Sequence, residues 1–504
     1  MAVLKIISSN KTEYTVKFTP PASFKELVGG DMFSSLKMPC GGRGTCGKCR
    51  VLFKGSALLP DKSEERLLGK DMEKGVRLAC RLVLTGDASV TLFEEKKSDV
   101  LLEGDESGTG LPLSPMAKGL GAAVDIGTTT VATRLYCLES GELLASCGIE
   151  NPQGAFGADV VSRIEKALSG SLEALHRAVV DAIYETVSLS LTRANRDISE
   201  LSIIAASGNT AMSYLAANKS PESISHAPFE SEDLFGGYYS SEYFKERFKD
   251  VKLYLLPCIS AYIGCDITAA MLATDIDTAR APSLLIDIGT NGETVLFNGS
   301  EYFGASAAAG PAFEGAGLSC GVGAVAGAIS SVTAVNGKLF AKTLGNERAV
   351  GICGSGVIDL VASLIEIGEL DETGYIENDA VIDGVTFTKE DIRAVQLAKG
   401  AIYGCISALL ASAGTEVSEL SQVFIAGGFG NKINIKNAEI IKMLPKGMAP
   451  IASSCGNAAL SGTSRFLLYK EYRKKAVCLA KQVKTVELAT SPVFMEEYIN
   501  GMMF

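Results

Sequence analysis

At 504 residues, 47% of them hydrophobic and with a net charge of −11, the chain is long enough for three or four domains of ordinary size, each with its own core. The acidic balance argues against nucleic acid as a partner. No membrane is expected either: no run of about 18 apolar residues free of charges and breakers occurs, and Ala305–Val332 is interrupted by Pro311, Glu314 and many glycines.

The N-terminus, MAVLKIISSNKTEYTVKF, alternates like a strand and lacks the apolar run of a signal peptide. Val3–Ser8 and Tyr14–Thr19 read as strands, Ser23–Val28 as a short helix, and Cys49–Phe53, Leu78–Leu84 and Ser89–Phe93 as later strands. Inside this frame stand Cys40, Cys46, Cys49 and Cys80, three of them in the string Cys40-Gly-Gly-Arg-Gly-Thr-Cys46-Gly-Lys-Cys49. Three close thiolates and one distant one form the ligand pattern of a single [2Fe–2S] cluster. Gly41, Gly42, Gly44 and Gly47 let the backbone wrap tightly and point N–H groups at sulfur, which tunes a cluster's potential. A structural zinc site is the alternative, but it usually shows two C-x2-C knuckles, and Cys80 stands alone. The C-x5-C-x2-C spacing resembles the adrenodoxin-like branch of the ferredoxins, and the flanks fit a small β-grasp fold. The remaining nine cysteines are scattered without paired spacing and read as reduced core thiols of a cytoplasmic protein. Two histidines, His176 and His226, are too few for a histidine-rich metal site.

Glu94–Gly119 is charged, then rich in Gly, Ser and Pro, and reads as a linker. The expected divisions are therefore a [2Fe–2S] domain at 1–95 and a linker at 96–119, followed by alternating strand and helix patterns of α/β type.

The strongest signal beyond the linker is an internal repeat. Val124-Asp125-Ile126-Gly127-Thr128-Thr129-Thr130 recurs as Ile286-Asp287-Ile288-Gly289-Thr290-Asn291-Gly292. Each copy lies between two apolar stretches, which reads as a β-hairpin with a D-x-G-T turn. Such a turn offers backbone N–H groups and hydroxyls to phosphate oxygens, and its aspartate can hold Mg²⁺ directly or through water. One D-x-G-T is weak evidence, since any tight turn favours Asp and Gly. Two copies predict two similar lobes, at 120–282 and 283–504, with a cleft between them. Gln422–Gly430 reads as a buried strand running into a glycine turn, where Gly427, Gly428 and Gly430 let an adenine and ribose approach the backbone. Gly354, Ser355 and Gly356 open a helix expected at Val357–Ile367, a second nucleotide-facing turn.

The order D-x-G-T, D-x-G-T, A-G-G-x-G resembles the actin, sugar-kinase and acetate-kinase superfamily of ATPases, in which two ribonuclease-H-like lobes close on ATP. With the cysteine domain and linker in front, nearly the whole chain resembles the reductive activators of corrinoid proteins. Further strings that carry this resemblance are Gly157-Ala-Asp159-Val-Val-Ser-Arg163, Ala206-Ser-Gly-Asn209-Thr210-Ala-Met212, Gly264-Cys-Asp266-Ile-Thr and Ala309-Gly-Pro311-Ala-Phe-Glu314-Gly315. Leu488–Phe504 offers no assignable motif.

The resemblance implies an ATP-dependent activator that takes an electron from a low-potential donor and returns it to the inactive Co(II) corrinoid of a methyl-carrier protein, restoring Co(I). A plant-type cluster sits near about −400 mV, corrinoid Co(II) is generally harder to reduce, and each 100 mV uphill costs about 2.3 kcal/mol per electron; ATP would close that gap. A homodimer is an expectation of the same kind. The expected roles are cluster binding for the four cysteines, Mg²⁺ binding for Asp125, and phosphate contacts for Gly127 and Thr128–Thr130 and for Asp287, Gly289, Thr290, Asn291 and Gly292. Asp266 and Glu314 are candidates for positioning the attacking water; a solvated turn carboxylate or a helix cap reads equally well. Asp159 and Arg163, four residues apart on a helix, read as an ion pair. A small-molecule kinase regulated by a fused ferredoxin domain is the rival reading, and an electron-transfer adaptor with ATP as a structural switch is a third. The neighbouring radical-dehydratase activators hold a [4Fe–4S] cluster between subunits, for which the lobes offer no cysteine cluster.

Overall fold

The computed structural model describes residues 1–8, 12–28, 44, 47, 49–93, 109–315, 317–427 and 433–504. They group into two compact units, one within Met1–Lys97 and Pro152–Ser171, the other within Ser98–Asn151 and Leu172–Phe504. The segment Pro152–Ser171, which chain order assigns to the first lobe, thus groups with the N-terminal unit.

The N-terminal unit is built on one mixed sheet. Its strands are β1 (Ala2–Ile7), β2 (Glu13–Phe18), β3 (Ala22–Ser23), β4 (Arg50–Ala57), β5 (Val76–Leu78) and β6 (Val83–Leu92). The order is β2-β1-β6-β4-β5, with β3 against β6. Period-2 alternation sets the faces: Ala2, Leu4 and Ile6 are buried while Lys5 is exposed. The expected helix at Ser23–Val28 is a single turn, Phe24–Leu27, which drives Phe24 into the core. The expected strand Leu78–Leu84 is interrupted by a 3₁₀ turn at Ala79–Arg81. That break takes Cys80 out of the ladder, and Ala79 N bonds Cys49 O at 2.8 Å.

A buried ion pair fastens this region. Arg77 Nε and Nη2 donate to Glu64 Oε1 and Oε2 at 2.8 and 3.0 Å, and Leu78 N donates to Glu64 Oε1 at 2.7 Å. Removing one partner strands the other charge in a dry site, which costs about 3 kcal/mol. Glu64→Ala is therefore expected to speed amide exchange in Val76–Leu78 about a hundredfold while leaving the second unit unchanged. Unaltered exchange in that strand would show the pair to be dispensable.

In Pro152–Ser171, Asp159 is the N-cap of the helix Val160–Lys166, accepting from Ser162 N at 2.7 Å. Arg163 is buried and donates to Gly157 O at 2.9 Å and to Gln153 Oε1 at 3.3 Å. The i, i+4 spacing read as an ion pair thus accompanies a cap and a buried backbone anchor.

The second unit contains the same five-strand core twice. The first copy uses β7 (Leu120–Ile126), β8 (Thr130–Cys137), β9 (Glu142–Glu150), β10 (Leu201–Gly208), β11 (Phe235–Tyr239) and β12 (Lys252–Pro257), in the order β11-β12-β10-β7-β8-β9. The second uses β13 (Ser283–Ile288), β14 (Gly292–Phe297) and β15 (Tyr302–Ala307), then, beyond a small three-stranded sheet of β16 (Ala328–Val335), β17 (Lys338–Thr343) and β18 (Gly351–Ile352) and a hairpin of β19 (Ala380–Ile382) and β20 (Val385–Phe387), resumes with β21 (Gln422–Ala426), β22 (Ala452–Gly456) and β23 (Val483–Thr485). Its order is β22-β21-β13-β14-β15-β23. In both, three antiparallel strands lead and parallel strands are added on the far side of the first. A sixth strand is added antiparallel to β12 in the first sheet and parallel to β15, at the opposite edge, in the second. Helices Cys265–Thr274 and Ala458–Leu468 share one apolar cluster with both sheets. They cross so closely that a Cβ on Gly462 would lie 1.7 Å from Ala269 O.

Among the described residues, Lys389–Ala413 is the one helix long and apolar enough to cross a membrane, and 72% of its apolar window is buried inside the protein. It carries the C-terminal helix Pro492–Met502: Lys399 Nζ donates to Gly501 O and Met503 O, both at 2.6 Å. The C-terminal residues that offered no motif are thus a packing element.

Candidate functional site

Each sheet ends a central strand on the repeated motif. Asp125 lies one residue from the end of β7, and the chain turns through Gly127–Thr129 into β8; Asp287 lies at the same place in β13, before the turn Gly289–Asn291 into β14. Both hairpins expected around the D-x-G-T turns are present, with Asp125 opposite Ala132 and Asp287 opposite Glu293.

The second unit brings the two turns together. Glu314, on the 3₁₀ turn Pro311–Glu314, accepts from Thr129 Oγ1 of the first turn and, at 3.0 Å, from Thr290 Oγ1 of the second. Thr128 Oγ1 accepts from Asn209 Nδ2 at 3.1 Å, and Asn151 Nδ2 donates to Gly127 O at 2.8 Å. Asp125 Oδ2 accepts from Asn457 Nδ2 at 3.0 Å. Asp266 stands in the first turn of helix Cys265–Thr274 and accepts from Ile267 N at 2.8 Å.

Crowding of carboxylates away from water dominates the electrostatics. Burial pushes Asp125 up to about 6 against hydrogen bonds from Asn457 and Ser207. Burial, then the charge of Asp125, pushes Asp266 up to about 7. Burial, then Asp266, Asp125 and Glu314, pushes Asp287 up to about 8. Glu293 rises through burial and then through Asp266 and Asp287. None of these carboxylates forms an ion pair with a lysine or arginine among the described residues. Such a cluster favours either protons or a hard divalent cation with oxygen ligands.

The sign of the pH effect follows. Burial pushes Asp287 up to about 8 in the folded protein, from about 3.8 in the unfolded chain, so between these values the folded state holds a proton the unfolded chain has released. Its contribution to stability is complete below about pH 4 and is lost as pH rises through about 8. In EDTA, the Tm of wild-type protein should fall more steeply across this window than that of Asp287→Asn. Added Mg²⁺ should restore wild-type stability most at high pH, since cations compete with protons at these oxygens. Equal slopes in both proteins would contradict this account of Asp287.

Gly427 follows β21 with φ +112°, and a Cβ there would meet Ile288 O at 2.3 Å and Asp287 Oδ1 at 2.9 Å, so only glycine lets this turn lie on the second hairpin. Gly428 and Gly430 lie outside the described residues. The helix expected from Val357 begins at Gly354. Gly354 closes onto Phe313 O, Gly356 onto Ile329 O, and Ser355 Oγ donates to Ser330 O at 2.8 Å; the small residues pack this helix start against the turn that carries Glu314.

Sequence reasoning missed Glu293 and Asn457. The one sequence signal for Glu293 is a difference between the copies of the repeat, the first of which has Val131 at that position. Asn457 was legible through a second repeat: Gly208-Asn209-Thr-Ala and Gly456-Asn457-Ala-Ala each place an asparagine N-cap at the start of a helix.

In the N-terminal unit, Cys49 Sγ and Cys80 Sγ are buried 3.2 Å apart, too far for a disulfide between the two. A disulfide would bring them to about 2.05 Å, whereas sulfurs sharing one tetrahedral metal through bonds of about 2.3 Å lie a little under 4 Å apart. Gly44 and Gly47, with φ of +74° and +66°, precede Cys49 in sequence. Cys40 and Cys46 lie outside the described residues.

Two family models match the chain: residues 120–279 match the RACo middle region, and residues 281–504 match the C-terminal domain of RACo, the ASKHA domain. The corrinoid activation enzyme RamQ of Eubacterium limosum is 33% identical over 76% of this chain and 70% of its own length. The [Co(II) methylated amine-specific corrinoid protein] reductase of Methanosarcina barkeri is 27% identical over 75% of this chain and 76% of its own. Among solved structures, a reductive activator for corrinoid, iron-sulfur protein is 25% identical, with a TM-score of 0.73, across 99% of this chain and 98% of that one.

Proposed function

The chain belongs to the RACo family of corrinoid reductive activators, and on that premise we propose that it uses ATP to return one electron to the Co(II) corrinoid of a methyl-carrier protein, restoring Co(I). One observation carries this reading. The two D-x-G-T turns converge through Thr129, Glu314 and Thr290, in a chain that matches a corrinoid activator over nearly its full length. The rival kinase reading has no comparable support.

The proposed organisation is a β-grasp ferredoxin domain at 1–95, a linker at 96–119, and ribonuclease-H-like lobes at 120–282 and 283–504. A [2Fe–2S] cluster bound in the first domain supplies a store for one electron at low potential. Cys49 and Cys80, whose sulfurs are buried together, serve one iron, and Cys40 and Cys46 serve the other. Gly44 and Gly47 turn backbone N–H groups toward the sulfurs. A low-potential protein or reductant is the electron donor. A reducing, cytoplasmic setting suits cysteines that show no paired spacing in the sequence, and a homodimer is the assembly the family leads us to expect.

In the cleft, Asp125 and Asp287 hold Mg²⁺, and Asp266 and Glu293 complete the negative field that makes a divalent cation necessary. Asn457 and Ser207 orient the carboxylate of Asp125. Thr128–Thr130 with Gly127, and Gly289–Gly292, face the phosphates, and Asn209 aims the hydroxyl of Thr128. The first-turn amides at Gly354, Ser355 and Gly356 add a helix N-terminus to the phosphate side. Gly427, Gly428 and Gly430 border the adenosine. Opening and closing of the lobes with nucleotide state changes how the corrinoid partner is held.

ATP turnover in the presence of partners tests this reading against the kinase. Turnover stimulated by a Co(II) corrinoid protein, and not by a panel of small metabolites with hydroxyl or carboxylate acceptors, supports it. Turnover driven by a metabolite with accumulation of its phosphorylated form would replace it.

A further inference from the structure

Glu314 does something that water positioning does not require. One of its oxygens, Oε2, accepts from Thr129 Oγ1 and from Thr290 Oγ1, hydroxyls on opposite turns. Its other oxygen lies over the second turn, where a Cβ on Gly289 would be 3.3 Å from Oε1. The backbone of its own turn is tied to the same place, since Gly310 N donates to Thr290 O at 2.8 Å. The carboxylate therefore occupies the point where the two turns offer hydroxyl donors to a shared anion. A phosphoryl oxygen and a carboxylate oxygen make the same demand of such donors: negative charge and O–H···O⁻ bonds.

We propose that Glu314 is a built-in surrogate for the terminal phosphate of ATP, bridging Thr129 and Thr290 until a nucleoside triphosphate displaces it. This rests on the reading of the two turns as phosphate loops. Because the start of the turn stays bound to Thr290 O, release takes only a swing of the Glu314 side chain. A diphosphate is one phosphoryl group short of the bridged point and leaves Glu314 in place. Glu314 is thus a specificity residue: binding ATP means breaking the bridge, and binding ADP does not.

The test is calorimetric titration of the full-length protein with Mg-ADP and with the non-hydrolysable triphosphate Mg-AMP-PNP, for wild type, Glu314→Gln and Glu314→Ala. Removing the competing carboxylate should tighten AMP-PNP about tenfold in Glu314→Ala, the factor one charged hydrogen bond is worth, and by less in Glu314→Gln, whose amide oxygen still accepts. ADP affinity should not change. Glu314→Gln keeps the shape of the site and carries the test by itself if Glu314→Ala does not fold. Unchanged or weaker AMP-PNP binding in the variants, with a fall in kcat, would make Glu314 a water-positioning residue and overturn the proposal. Equal tightening of both nucleotides would overturn it as well. Wild-type protein that binds neither nucleotide would instead remove the phosphate-loop reading on which it stands.

Discussion

Asp125→Ala is expected to lower ATP turnover by about a thousandfold or more, the scale on which a lost electrostatic anchor at a phosphoryl group acts, while leaving the visible spectrum of the N-terminal unit unchanged. Asp125 sits at the end of β7, held by Asn457, among carboxylates that lack basic partners among the described residues. On the proposed reading, removing it takes away an oxygen of the Mg²⁺ site; it also lowers the repulsion around Asp287. The variant should therefore fold at least as well as wild type in EDTA, and its Tm should respond less to Mg²⁺. The measurement is phosphate release together with a spectrum of the same sample. Turnover within threefold of wild type would remove Asp125 from the metal site, and loss of both turnover and spectrum would indicate misfolding.

Cys49→Ser and Cys80→Ser should each abolish reduction of the corrinoid partner and bleach the visible charge-transfer bands of the as-isolated protein. The two sulfurs are 3.2 Å apart and buried, and on the proposed reading both bind the cluster, so losing either removes one of its ligands. The loss should exceed the 10–100-fold, about, that follows removal of a hydrogen-bond partner outside the ligand set. Basal ATP turnover, which belongs to the second unit, should persist. Colourless wild-type protein containing zinc would favour the structural-zinc alternative, since zinc has no d–d or redox chemistry. A variant with full colour and full reducing activity would show that its cysteine is not a ligand.

The repeat was the most readable feature of the chain because the two hairpins follow from one local pattern. An apolar strand, Asp, a glycine turn with threonine and a second apolar strand favour a hairpin, and finding that pattern twice pointed to the repeated sheet core around it. The strand Gln422–Ala426 was legible for the same reason, as a short apolar run ending in glycine. What escaped depended on contacts distant in sequence. Asn457 meets Asp125 across 332 residues and Glu314 meets Thr129 across 185, and no local period encodes either. Glu293 was hidden by its neighbours, since an acid at the start of an apolar strand reads as surface until the partner strand places it beside Asp287. Leu78–Leu84 was read as a strand because its apolar content is continuous. The turn at Ala79–Arg81 is held by the bond from Ala79 N to Cys49 O, a contact distant in sequence that composition does not express. Leu488–Phe504 lacked a motif because its task is packing on the helix Lys389–Ala413, where Lys399 and the close approach to Gly400 and Gly404 do the holding.

The central claim is that ATP drives delivery of an electron to the cobalt of a partner protein. It is tested most directly by mixing the purified protein anaerobically with a Co(II) corrinoid protein and a low-potential reductant, and following Co(I) absorbance with and without Mg-ATP. The account predicts Co(I) with Mg-ATP and none without it, and none with Asp125→Ala under either condition. Co(I) forming at the same rate with and without ATP, or forming in neither case across several corrinoid partners while the protein keeps its visible spectrum, would contradict it.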